Sequence, residues 1–234
     1  MTNVSGEPHV AKRDVADHPA YRAGATLRTV REAALGCSLC PLATLGRSQV
    51  VFGVGSPNAD LLLVGEGPGE QEDALGEPFV GRSGKLLTQL IEGIGLTRDE
   101  IYIANVVKCR PPGNRDPHPV EIEQCAPWLD RQLELIQPRV IVTLGNFATK
   151  LLLDTKIGIT KLRGQVFPFH RAGLDAVLVP TLHPAAVLRS GGKSLAESRA
   201  DFVIVKRHLR DVCGASGVTA VTDATAVPVS SDNR

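Results

Sequence analysis

Carboxylates set among glycines are the first residues in this chain with a plain capacity for chemistry. The segment Gly65-Glu-Gly-Pro-Gly-Glu-Gln-Glu-Asp73 places Glu66, Glu70, Glu72 and Asp73 beside backbone that Gly65, Gly67 and Gly69 leave bare. Bare backbone lets a ligand lie against the main chain, and a carboxylate there can orient water or face a developing positive charge. Two phosphate motifs nearly fit and both fail. The dinucleotide fingerprint needs glycine where Glu70 stands, and the phosphate loop needs glycine at Phe79, ahead of Gly84 and Lys85. The acidic residues would also repel a phosphate. Taken alone, the segment reads equally as an ordinary strand-to-loop turn with solvated carboxylates.

Other candidates are scattered along the chain. Cys37 and Cys40 form a C-x2-C pair, while Cys109 and Cys125 form a C-x15-C pair, with fifteen residues between them. Four thiolates suit zinc or an iron–sulfur cluster, and the spacing does not choose between them. Cys213 is left over as a free thiol. Asn105 interrupts an apolar run, where a buried amide needs either a structural partner or a ligand. His183 is held by Pro184 just past another apolar run. Lys108 to Pro119 is a stiff, basic, proline-rich loop.

These residues need elements to position them. Leu61 to Val64 is a short apolar run bounded by turn formers and predicts a strand buried on both faces. Ile101–Val107, Val140–Leu144 and Ala176–Val179 predict three more strands. Helices are predicted over Thr26–Leu35, Ser83–Ile94, Pro119–Gln137, Asn146–Leu153 (capped by Asn146) and Ser194–Leu209. Lys161–Phe169 resembles a small hairpin, with Arg163 a possible ligand contact. The alternation argues for an α/β fold, a parallel sheet in a three-layer αβα sandwich. In such sheets ligands bind beyond the carboxyl ends of the strands, where Glu66, Asn105 and His183 all fall.

Composition bounds the rest. The chain has 234 residues, 43% hydrophobic and 22% charged, with a net charge of +1. This is the composition of one globular domain, expected over residues 25–211, with a flexible arm at 1–24 and a disordered tail at 212–234. No apolar run approaches a membrane span and the start lacks a signal-peptide core, so a cytoplasmic location is expected. The near-neutral charge gives no global pull on nucleic acid, so any DNA contact must be local.

In combination, Gly65–Asp73, Pro78-Phe-Val-Gly-Arg82, Asn105-Val-Val-Lys-Cys-Arg-Pro-Pro112, Asn114-Arg-Asp-Pro117, His183-Pro184 and the four cysteines resemble a family 4 uracil-DNA glycosylase, the iron–sulfur type. The resemblance runs from about Leu27 to Leu209. It implies a four-stranded parallel sheet between helices and a [4Fe-4S] cluster on Cys37, Cys40, Cys109 and Cys125. The implied activity is DNA repair: uracil is flipped out of single- or double-stranded DNA, and its N-glycosidic bond is hydrolysed to leave an abasic site. Phe79 would stack on the base, Asn105 would read its edge, and backbone near Gly67 would hold its oxygens. His183 would bond O2, Glu66 would serve the sugar or the water, and Glu72 would exclude thymine. Leu188 and Arg189 would press into the duplex, with Lys108, Arg110, Arg115 and Lys193 as phosphate contacts. A monomer is expected. The alternative is a non-catalytic iron–sulfur DNA-binding protein, or one of the same superfamily that traps DNA covalently through a loop histidine; His118 lies in the matching region, but Gly67 and the compact loop depart from that branch.

Overall fold

A run of five residues can be buried throughout only where helices cover both faces of its sheet, and the computed structural model, which describes residues 17–22 and 26–214, has that arrangement around Leu61–Gly65. The described strands are β1 (Val54–Gly55), β2 (Leu61–Gly65), β3 (Tyr102–Asn105), β4 (Val140–Leu144), β5 (Phe167–Arg171) and β6 (Leu174–Thr181). They form one sheet in the order β1-β3-β2-β4-β6-β5. The inner four are parallel to one another, as expected. Two antiparallel edge strands extend that expectation to six.

The edges escaped the apolar pattern for physical reasons. β1 is two residues long, and β5 alternates between exposed and buried positions around Pro168. Proline lacks the donor a central strand needs, so an edge suits it. β5 and β6 are a hairpin closed by Ala172 and Gly173, both at positive φ (53° and 70°), the backbone that matches strand twist in a two-residue turn. The hairpin expected at Lys161–Phe169 therefore lies further along the chain.

The helices are α1 (Pro19–Arg22), α2 (Leu27–Leu35), α3 (Glu70–Leu75), α4 (Arg82–Gly93), α5 (Pro119–Ile136), α6 (Asn146–Leu152), α7 (Ile159–Leu162), α8 (Pro184–Ser190) and α9 (Gly192–Gly214). Alternate strand residues divide the core in two. Leu62, Val64, Tyr102, Ala104 and Ile141 pack with α2, α5 and α6 on one face. Leu61, Leu63, Ile103, Val142 and Val179 pack with α4, α8 and α9 on the other. Three layers result, with the period-2 alternation of the strands sorting side chains between them.

Asn146 is the first residue of α6 and not its cap; Gly145 takes the cap position, while Asn146 Oδ1 accepts a bond from Ile159 N at 3.1 Å. The expected arm at 1–24 lies largely outside the described residues. Its described part is docked: His18 Nε2 donates to the Gln124 carbonyl (3.1 Å), and its ring meets Trp128 edge-on at 4.8 Å. The expected tail lies outside the described residues beyond Gly214, and the expectation for Cys213 falls outside the described side chains. No described helix is long and apolar enough to cross a membrane.

Candidate active site

Four parallel strands end at one edge, and their last residues define a cleft of about 1240 Å³. β2 delivers Glu66 and Gly67, β3 delivers Asn105, the turn after β4 delivers Gly145, and the segment after β6 delivers His183. All of them line the cleft, together with Glu72 and Phe79. β2 and β3 are in register up to Gly65 and Asn105, and bonds from Val106 N to Gly65 O (2.9 Å) and Val107 N to Glu66 O (3.0 Å) carry the pairing past the strand ends.

Asn105 is 1% exposed, and its Oδ1 has no hydrogen-bond partner. A buried acceptor left unpaired costs roughly 1–3 kcal/mol, so this oxygen is poised for a donor that enters the cleft. Its surroundings explain Gly65. A Cβ on Gly65 would lie 2.3 Å from Asn105 Oδ1 and 2.7 Å from the Phe79 ring, so only glycine lets ring and amide meet above the backbone. A Cβ on Gly67 would lie 2.7 Å from Val107 Cγ2, so the next strand, as well as any ligand, excludes a side chain there.

Phe79 is buried at φ 55°, in the left-handed region that a bulky residue rarely enters. Its loop is fastened on both sides. Glu72 Oε1 accepts from Val80 N (3.0 Å) and Gly81 N (3.2 Å), and Arg98 donates to the Pro78 carbonyl at 2.9 Å. The ring centroid lies 5.7 Å from that of His183. Glu72 therefore acts on the loop that carries the flat face of the site.

His183 caps α8. Its Nδ1 accepts from Ala185 N at 3.1 Å, so the proton of the neutral ring resides on Nε2. Burial pushes its pKa down to about 4; Arg189 acts in the same direction and Glu72 against it. The ring is thus neutral at ordinary pH and presents one N–H donor. Glu66 is half-buried with its pKa raised, first by burial and then by the negative charge of Asp116. A stacking face, an unpaired acceptor, a neutral donor and a carboxylate suit a planar heterocycle. The donor can meet negative charge on such a ring as it departs, and the carboxylate can face the positive charge left behind.

The outer contacts differ from expectation. Leu188 (44% exposed) and Arg189 are both on the cleft wall. Lys108 is 1% exposed, with Nζ bonded to the Asn105 carbonyl (2.8 Å) and Gln132 Oε1 (2.5 Å). It cannot reach a phosphate; it holds the end of β3. Arg115 lines the cleft but gives both outer nitrogens to Glu121 (2.9 and 2.7 Å). Arg163 is bound to Asp201 and the Glu197 carbonyl, which excludes the ligand contact considered for it. Arg110 bonds Asn114 Oδ1 at 2.8 Å, Lys193 is exposed in the first turn of α9, and His118 is an exposed residue that caps α5. Arg82, Phe147 and Lys150 also line the cleft. Arg82 closes the Pro78–Arg82 motif, whereas nothing in the order of residues marks α6 as a wall of this site.

The cysteines gather behind β3. Cys109 and Cys125 are buried, Cys37 and Cys40 half-buried, and all four are free. Burial pushes the Cys109 thiol up to about 11 and Cys125 up to about 12; Cys37 and Cys40 add to the first shift, Cys109 and Cys37 to the second. Cys40 is raised by burial, then by Cys37. Cys40, Cys109 and Cys125 therefore each sense at least one neighbouring thiol. Among the described residues no His, Cys, Asp or Glu group is arranged to hold a single metal ion. Arg47 donates to Cys109 Sγ (2.9 Å) and the Lys108 amide to Cys125 Sγ (3.2 Å). N–H donors aimed at sulfur favour ligating thiolates.

Residues 52–210 match the family model described as the uracil DNA glycosylase superfamily. The type-4 uracil-DNA glycosylase of Sulfurisphaera tokodaii is 47% identical over 169 residues, covering 70% of this chain and 76% of the relative. That of Archaeoglobus fulgidus is 47% identical over 158 residues, 66% of this chain and 79% of the relative. That of Thermotoga maritima is 46% identical over 170 residues, 72% of this chain and 86% of the relative.

Proposed function

The chain belongs to the uracil DNA glycosylase superfamily, and from that premise we infer that it is a DNA repair enzyme that hydrolyses the bond between uracil and deoxyribose in DNA. The observation that carries the reading is the buried, unpartnered Oδ1 of Asn105 beside the Phe79 ring. Uracil offers N3–H to that oxygen and O4 to the amide nitrogen. Cytosine reverses both groups and leaves buried partners unpaired, which is strong grounds for rejection.

The substrate is uracil-containing DNA, single- or double-stranded, taken by a monomer through a domain spanning 25–211. Flipping costs a few kcal/mol, offset by stacking on Phe79 and by backbone near Gly67. The C1′–N1 bond breaks as water supplies a new oxygen to C1′, and its proton balances the departing uracil anion. His183 donates from Nε2 to O2, where the negative charge accumulates; a preorganised donor of this kind supplies about 3 kcal/mol. Glu66 faces the positive sugar and orients the water. Glu72, besides fixing the Phe79 loop, stands where thymine's methyl group would enter. Leu188 and Arg189 fill the duplex where the base has left.

Cys37, Cys40, Cys109 and Cys125 hold a [4Fe-4S] cluster. When bound it supplies a rigid four-point tie, since hydrolysis requires no electron transfer. Incubation with a uracil-containing oligonucleotide, followed by alkali, is expected to cut the strand at uracil. An intact strand after incubation with iron-loaded protein would refute the reading.

A further inference from the structure

Of the two carboxylates of the glycine-rich segment that the mechanism leaves unused, Glu70 is exposed and Asp73 is buried. Asp73 is 3% exposed and lies in α3. Its Oδ2 accepts from Ser48 N at 2.8 Å, while Oδ1 is buried without a partner. We propose that Arg47, Ser48 and Asp73 join the cysteine group to the Phe79 loop, making Asp73 a positioning residue for the ring that stacks on the base. The role given to that ring rests on the function proposed above.

The chain of contacts is continuous. Arg47 donates one nitrogen to Cys109 Sγ (2.9 Å) and another to the Cys37 carbonyl (2.5 Å), so it spans both halves of the cysteine group. The next residue, Ser48, gives its amide to Asp73, and the residue after that, Gln49, donates to the Ala74 carbonyl at 2.7 Å. Residues 47 to 49 therefore run along α3 and are pinned to it twice. Glu72, adjacent to Asp73, holds the amides of Val80 and Gly81. Phe79, at φ 55°, is strained and persists only because its surroundings fix it. A shift of α3 would release that loop, and Asp73 supplies the buried one of the two ties between α3 and residues 47 to 49.

The test is amide hydrogen exchange in the iron-loaded protein. Asp73→Ala is expected to speed exchange at Val80 and Gly81 about tenfold or more, leaving β2 and β4 unchanged, because local opening is governed by local contacts. The same variant should lower kcat with KM for the oligonucleotide within about twofold, the pattern of a misplaced reacting group rather than lost binding. Asp73→Asn keeps an oxygen that can accept from Ser48 N and should restore both quantities. Arg47→Met should also speed loop exchange, and the double variant Arg47→Met with Asp73→Ala should add nothing to Asp73→Ala alone. Wild-type exchange at Val80 and Gly81 in Asp73→Ala, exchange rising equally in β2 and β4, or additive effects in the double variant would each overturn the link. Exchange is read without substrate, so a wild-type protein that spares uracil would sink the proposed function and leave the link to its own result.

Discussion

Asn105 and His183 do opposite things with their hydrogen-bonding atoms. The amide keeps an acceptor unpaired in the free protein, whereas the imidazole commits Nδ1 to the backbone and keeps Nε2–H for use. Together they set the pH behaviour. With His183 held near 4 by burial, Arg189 and the opposing pull of Glu72, no ionisation near 6.5 should come from this ring. Glu66, raised by burial and by Asp116, should instead govern the acid limb: kcat rises as its carboxylate ionises and then levels. Measured between about pH 4 and 8, Glu66→Gln should abolish that limb and lower kcat by about 10² or more. A limb centred near 6.5 that survives in Glu66→Gln would move the titrating role to another group. Stability follows the same depression. His183 binds a proton more readily unfolded than folded, so its contribution is full above about 6.5 and is lost as pH falls toward about 4.

Among the elements, the end of β2 has little freedom to vary. Register with β3 brings Asn105 over Gly65, and the Phe79 loop folds back onto the same point. Gly65→Ala should therefore fill the base site without disturbing the sheet. The expected result is a loss of uracil release of about 10² or more with the protein still folded and its melting temperature lowered by roughly a few degrees, because the Cβ crowds buried Asn105 and Phe79; displacement of reacting groups by an ångström commonly costs that much activity. Near-normal activity would mean that the base binds elsewhere in the cleft. Lys108 belongs at this scale too. The side chain expected at the surface is turned inward to hold the Asn105 carbonyl, while its amide bonds Cys125. One residue thus joins the cysteine group to the strand that carries Asn105.

Taken as a whole molecule, a net charge of +1 provides little attraction for DNA, so binding depends on cations placed around the cleft. Arg115 is already paired, which leaves Arg82, Lys150 and Arg189 as the cleft-wall cations suited to phosphate. Each phosphate contact changes the slope of log affinity against log salt by about 0.7–0.9. Lys150→Ala should reduce the slope by about that amount for a uracil-containing oligonucleotide, with kcat at saturation unchanged. An unchanged slope would remove Lys150 from the DNA path.

The order of residues by itself determined the layered fold, because apolar runs of strand length alternating with amphipathic helices have few other ways to bury their surface. It also marked Glu66, Asn105 and His183 as neighbours, since parallel strands must end at one edge. Only the tertiary structure decided which polar groups were free to act. Lys108, Arg115 and Arg163 look alike in the sequence as cations near motifs, yet each is paired to a partner brought in by folding. Phe147 and Lys150 reach the cleft because α6 packs beside the edge, a juxtaposition no local pattern encodes. Periodicity fixes which face of an element is buried. The partner that a polar side chain meets depends on residues distant in the chain, and so on the packing of the whole.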